Sequence, residues 1–92
     1  MKSVVIRVFG RVQKVYFRVS TQQKASALQL TGWVRNRLNG TVEIFAQGNE
    51  KNIEELIEWS TIGPETAQVE RIEFDAVDFD STLSHFEIRQ TL

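Results

Sequence analysis

The elements read along this chain predict an α+β fold of the ferredoxin-like, split βαβ type, an antiparallel sheet with two helices on one face. Three observations carry that expectation. Four short β-branched or alternating runs and two apolar patterns of helical period fall in the order strand, helix, strand, strand, helix, strand, and one further alternating run follows. With 92 residues, 41% hydrophobic and 10% aromatic, the composition suits one two-layer domain spanning 1–92 and not a disordered segment. A chain this short buries only about 60 to 68% of its unfolded surface, so any site is expected to be shallow.

Lys2 to Phe9 (KSVVIRVF) reads as a strand because it is short, rich in β-branched residues and bounded by Gly10, which is expected to stop it. From Phe17 to Leu30, the residues Phe17, Thr21, Ala25 and Leu28 recur at helical spacing, with Gln22, Gln23, Lys24 and Ser26 turned outward. Thr31 and Gly32 are expected to end that helix. Trp33 to Leu38 and Thr41 to Gln47 flank Asn39-Gly40, a dipeptide suited to the positive φ angles of a tight hairpin turn. Asn49 is placed to cap a second helix whose Ile53, Leu56, Ile57 and Ser60 follow the i, i+3, i+4, i+7 pattern, and Gly63-Pro64 terminates it. Glu50, Glu54, Glu55 and Glu58 form its solvated face. Ala67 to Ala76 reads as a strand whose alternation breaks between Val69 and Ile72, as at a bulge, and His85 to Arg89 alternates through Phe86 and Ile88.

Eleven basic against twelve acidic residues give a net charge of -1, but the two signs are segregated. Met1 to Arg37 holds eight basic residues and no acidic one, whereas Leu38 to Leu92 holds three basic and all twelve acidic. No apolar run approaches the roughly 18 residues that span a bilayer, and no signal-peptide pattern follows Met1. There is no cysteine, hence no disulfide, thiol nucleophile or thiolate metal site. These features predict a cytoplasmic protein with no membrane partner, and a monomer for want of an apolar seam.

Chemistry is expected between the first strand and first helix, in Gly10-Arg11-Val12-Gln13-Lys14-Val15-Tyr16-Phe17-Arg18. A loop entering a helix presents unpaired N–H groups and the positive end of the helix dipole, so it suits an anion. Successive amides can fold into a nest around phosphate oxygens, and a guanidinium at the helix start adds a planar fork. Spacing alone leaves a plain connector with solvated cations about equally credible.

Gly10-Arg11-Val12-Gln13-x-Val15-x-Phe17-Arg18, then Gly32-Trp33-Val34-Arg35-Asn36 and Asn39-Gly40-Thr41-Val42-Glu43, resemble the signature blocks of the acylphosphatase family, and the likeness in element order covers essentially the whole chain. The resemblance implies hydrolysis of a carboxylic-phosphoric anhydride, a small acyl phosphate, to a carboxylate and inorganic phosphate, with no metal or organic cofactor. It implies that Arg18 grips the phosphoryl group together with the amides of Arg11, Val12, Gln13, Lys14, Val15 and Tyr16. It also implies that Asn36 orients the attacking water. A departing carboxylate needs no general acid, so fixed cations and N–H donors can supply most of such catalysis. Lys14 stands where the family usually has glycine. If that site needs positive φ, lysine adds strain on the order of 1 kcal/mol, and its ammonium either crowds or strengthens the anion site. The alternative is therefore a non-catalytic phosphate-binding module on the same fold, disabled by Lys14. Tyr16 is expected to pack its ring on the loop.

Other candidates have plainer explanations. His85, the single histidine, reads as a surface or strand-edge residue, Ser20 and Thr21 lack a histidine partner, and Asp75, Asp78 and Asp80 form at most a weak cation site. Trp33, Phe45, Trp59, Phe74, Phe79 and Phe86 read as core or sheet-face packing. A nucleic-acid role is disfavoured because the RNA-recognition consensus is absent and the basic residues are expected to gather at one loop, not along the sheet.

Overall fold

The computed structural model describes residues 1–92. They form β1 (Lys2–Arg11), α1 (Phe17–Ala27), β2 (Thr31–Asn36), β3 (Val42–Gly48), α2 (Glu50–Ser60), β4 (Gln68–Ala76) and β5 (Phe86–Ile88). One five-stranded sheet runs in the order β4-β1-β3-β2-β5. The ferredoxin-like expectation holds, with one correction to the antiparallel sheet: β1, β2, β3 and β4 pair antiparallel, but β5 lies parallel to β2. The chain leaves β4 at one edge and crosses one end of the sheet before adding β5, antiparallel to β4, at the other edge.

That crossover is pinned by a single buried side chain. Gln47, 1% exposed, donates from Nε2 to Asp80 O at 2.7 Å and to Thr31 Oγ1 at 3.1 Å, while its Oε1 accepts from Asp80 N at 2.9 Å. Alternation dictates the rest of the layering. Val4, Ile6 and Val8 of β1, Val34 of β2, and Val42, Ile44 and Ala46 of β3 point to the helices and meet Phe17, Ala25, Ile53, Leu56 and Phe86 in one core. α1 lies over β2 and β5, and α2 over β1 and β3.

The opposite face is charged, and this corrects the expected gathering of basic residues at one loop. Arg35 and Arg37 pair with Glu43, Arg7 with Glu73 and Asp75, and Arg89 with Glu87. Trp33 stacks on Phe45 at 5.9 Å between centroids, with the Arg35 guanidinium 4.5 Å from the indole. Phe74 and Phe79 depart from the packing expectation at 50% and 51% exposure, because β4 is an edge strand away from both helices and Phe79 lies on the crossover.

Several boundaries differ for local reasons. Gly10 does not stop β1: the register shifts at Phe9/Gly10, so that Phe9 faces Arg71 and Gly10 faces Val69, and the ladder resumes past the bulge to Arg11. The extra residue is Glu70, inside the Val69–Ile72 stretch where alternation breaks. α1 ends at Ala27, before Leu30, in a Schellman motif: Gln29 adopts φ 58, Gln29 N donates to Ser26 O and Leu30 N to Ala25 O. Thr31 and Gly32 therefore begin β2 and do not close the helix. In the hairpin only Gly40 has positive φ. Gly40 N donates to Arg37 O and Arg37 N to Thr41 O, so the connection is a three-residue loop with glycine at its left-handed position. Asn49 caps α2 as expected, its side chain accepting from Lys51 N at 2.9 Å.

Replacing Gln47 with alanine removes its two bonds to the crossover and the one to Thr31, and leaves Asp80 N without an acceptor. We expect Gln47→Ala to lower the unfolding free energy by about 2–3 kcal/mol in urea titrations.

Candidate active site

β1 and β2 each run antiparallel to β3 between them, so their C-terminal ends share one edge of the sheet. The register sets Val8 against Val42 and Val42 against Asn36, which puts Asn36 on the helix-facing side of the sheet, level with the end of β1. The loop following Arg11 turns at this edge into α1. A cavity of about 390 Å³ results, lined by Val12, Lys14, Tyr16, Phe17, Arg18, Val19, Asn36 and Ile88. Arg18, in the first turn of α1, and Asn36, the last residue of β2, are thus brought to one cavity.

The loop has the backbone of an anion nest. Lys14 and Tyr16 adopt φ 63° and 64°, while Gln13 and Val15 between and before them keep negative φ. None of the N–H groups of Val12, Gln13, Lys14, Val15 and Tyr16 donates to a protein acceptor. Tyr16 is the left-handed N-cap of α1, offers no side-chain cap, and is followed by a first turn without an acidic residue, so the positive end of the helix is left open. Tyr16 corrects the ring-packing expectation: it is 75% exposed and stands at the cavity mouth.

The loop is braced from below. Val12 and Val15 are buried in the core, the Thr66 hydroxyl donates to Val15 O, and Phe17 meets Trp59 with ring centroids 5.5 Å apart. Gly63, at φ 69, passes so close to Phe17 that a Cβ there would collide with its ring. The side chains of Arg11, Gln13 and Val15 do not line the cavity. Arg11 is the last residue of β1 and exposed, Val15 is core, and Gln13 Nε2 donates to Arg37 O and Thr41 O on the neighbouring hairpin.

Charge at the site is positive and uncompensated. Arg11, Lys14 and Arg18 make no ion pair, whereas Arg7, Lys24, Arg35 and Arg37 of the same basic segment are each bound to a carboxylate. Asn36 is 9% exposed, and its Oδ1 is buried with no hydrogen-bond partner. A buried polar atom left unpaired costs about 1–3 kcal/mol, which marks Asn36 Oδ1 as an acceptor held ready for a donor.

The remaining candidates lie elsewhere. His85 is exposed beside Glu87, Thr21 Oγ1 donates back to Phe17 O, and the acidic run is split, Asp75 going to Arg7 and Asp80 to Thr82. The Thr82 hydroxyl and N–H hold the Asp80 carboxyl below its ordinary range, and Arg89 does the same for Glu87. Nowhere do three or more His, Asp or Glu side chains converge.

Comparison with known proteins adds an independent line. The acylphosphatase family model matches residues 4–88. An acylphosphatase of Thiobacillus denitrificans is 40% identical over 89 residues, covering 97% of this chain and 98% of that one. Among solved structures, an acylphosphatase from Coxiella burnetii superposes with a TM-score of 0.92 at 39% identity, covering 96% of this chain and 92% of that one. One from Bacillus subtilis gives 0.91 at 35% identity, covering 97% and 99%.

Lys14, like Tyr16, holds left-handed backbone without being glycine. We expect Lys14→Gly to raise stability by about 1 kcal/mol in urea unfolding, because lysine resists positive φ. Loss of its ammonium should weaken inorganic phosphate binding by calorimetry about two- to fivefold.

Proposed function

The chain belongs to the acylphosphatase family, and we infer that it hydrolyses acyl phosphates to a carboxylate and inorganic phosphate. From that premise we propose that the loop amides of residues 11–16 and Arg18 hold the phosphoryl group, while Asn36 holds the water that attacks it. The observation that carries this reading is the pairing, in one cavity, of unpaired loop N–H groups and an unpaired cation with the buried, partnerless Oδ1 of Asn36.

The chemistry follows from what these groups can do. The phosphoryl transition state spreads negative charge over its equatorial oxygens, and N–H donors and a guanidinium already aimed at them stabilise it without reorganising. Asn36 Oδ1 accepts a hydrogen bond from the water, and its Nδ2 can donate, so the amide orients the nucleophile without taking its proton. Water oxygen bonds to phosphorus as the phosphorus to acyl-oxygen bond breaks. The carboxylate leaves with that electron pair, and a phosphate oxygen takes the water's proton. No carboxylate or histidine lines the cavity, and this division of labour assigns none a role.

The relatives bear the enzyme's name, and no observation favours a non-catalytic module on the same fold. We further propose that residues 1–92 act as one domain, as a monomer and in the cytoplasm. Support comes from the single core, from the charged Arg71, Glu73 and Asp75 that blunt the β4 edge, and from the absence of cysteine. No helix is long and apolar enough to cross a membrane.

The test is hydrolysis of benzoyl phosphate and acetyl phosphate in the presence of a chelator. Arg18→Ala is expected to lower kcat/KM by about 10²–10³-fold, and Asn36→Ala to lower kcat on a similar scale while KM stays within a few-fold. Parent-like turnover by Arg18→Ala would show the phosphate site to be elsewhere.

A further inference from the structure

The phosphate loop and the water-holding asparagine sit on different elements, and only one side chain ties them together. Gln13 projects from the loop, half-buried, and its amide nitrogen uses both hydrogens: one bonds Arg37 O at 2.8 Å and the other Thr41 O at 2.9 Å. These carbonyls belong to the two legs of the β2–β3 hairpin, at the rung where Arg37 N also donates to Thr41 O at 2.8 Å. Asn36 is the preceding residue. No other hydrogen bond joins residues 12–16 to the hairpin; the remaining bonds to loop groups come from Ser20 N of α1, to Tyr16 O, and from the Thr66 hydroxyl, to Val15 O.

Hydrolysis needs the water oxygen in line with the scissile bond, so the distance between the Asn36 amide and the phosphoryl cradle is a catalytic variable. The lateral position of Asn36 is set by the sheet. At the end of β2, where the ladder gives way to the turn, the Gln13 bridge restrains it from the loop side, while Leu92 bonds Asn36 O and the Leu38 N–H from the side of the C-terminus. We propose that Gln13 is a positioning residue, acting through Asn36: its side chain clamps the hairpin end to the phosphate loop and so fixes the attacking water against the bound phosphoryl group. This rests on the assignment of Arg18 and Asn36 above.

The cradle itself does not depend on the clamp, since the left-handed residues 14 and 16, the buried Val15 with its Thr66 bond and the Phe17 packing all remain. Removing the clamp should therefore spare phosphate binding and damage turnover. Gln13→Met keeps the length and apolar stem of the side chain and deletes both donors, and Gln13→Ala deletes the side chain. For each we expect kcat on benzoyl phosphate to fall about 10- to 100-fold, with KM and the inhibition constant for inorganic phosphate within about threefold of the parent. Far-UV circular dichroism and the urea midpoint identify which variants are folded at the assay temperature; should alanine not fold, methionine carries the test.

The decisive measurement is a double-mutant cycle with Asn36→Ala. Where Asn36 is already absent, Gln13→Met should cost less than about twofold further in kcat, because the clamp has no water-holding group left to place. Full additivity, a parent-like kcat in both Gln13 variants, or a loss confined to KM each overturn the proposal. If Asn36→Ala itself turns over like the parent, the water-holding assignment falls and the clamp with it. If Asn36→Ala is impaired but the cycle is additive, only the clamp falls.

Discussion

Backbone N–H groups in a folded chain ordinarily find an acceptor, yet the segment from Val12 to Tyr16 keeps five in succession clear of every acceptor in the protein. Much of the surrounding structure can be understood as holding that segment open. Lys14 and Tyr16 take left-handed backbone, which turns neighbouring amides toward a common centre. Val12 and Val15 anchor the loop in the core, Thr66 occupies the Val15 carbonyl, and the close passage of Gly63 lets Phe17 seat against Trp59. In the proposed role the loop is already shaped for an anion, so ordering it would cost little at the moment of binding.

Electrostatics follow the same plan. The first 37 residues carry eight basic and no acidic side chains, yet folding neutralises half of them. Arg7 meets Glu73 and Asp75, Lys24 meets Glu55, and Arg35 and Arg37 share Glu43. Lys2, at the start of β1, and Arg11, Lys14 and Arg18 are left without a carboxylate, and the last three sit at or beside the nest. Positive potential is thereby narrowed from half of the chain to one loop, with the field of the α1 terminus added to it.

Glu43 and Gln13 show how the site depends on contacts across the chain. Glu43 holds Arg35 and Arg37 on the open face of the sheet, while on the loop side Gln13 ties down the Arg37 and Thr41 carbonyls. Asn36 stands between those restraints with its Oδ1 buried and unpaired. Such a polar atom is stable only where the neighbouring framework is rigid enough not to collapse onto it.

Local pattern in the sequence determined the element order, the two helix faces, the Asn49 cap and the bulge between Val69 and Ile72, because periodicity, capping and alternation act over a few residues. The loop motif and its cations were legible for the same reason. Tertiary structure alone decided the parallel addition of β5 beside β2, which depends on where a crossover lands. It also decided the pairing of Arg35 and Arg37 with Glu43 and the direction of the Gln13 side chain. Those outcomes rest on side chains finding partners 6 to 28 positions away, carboxylate in one case and backbone carbonyl in the other, and no local pattern encodes which distant partner a donor will find.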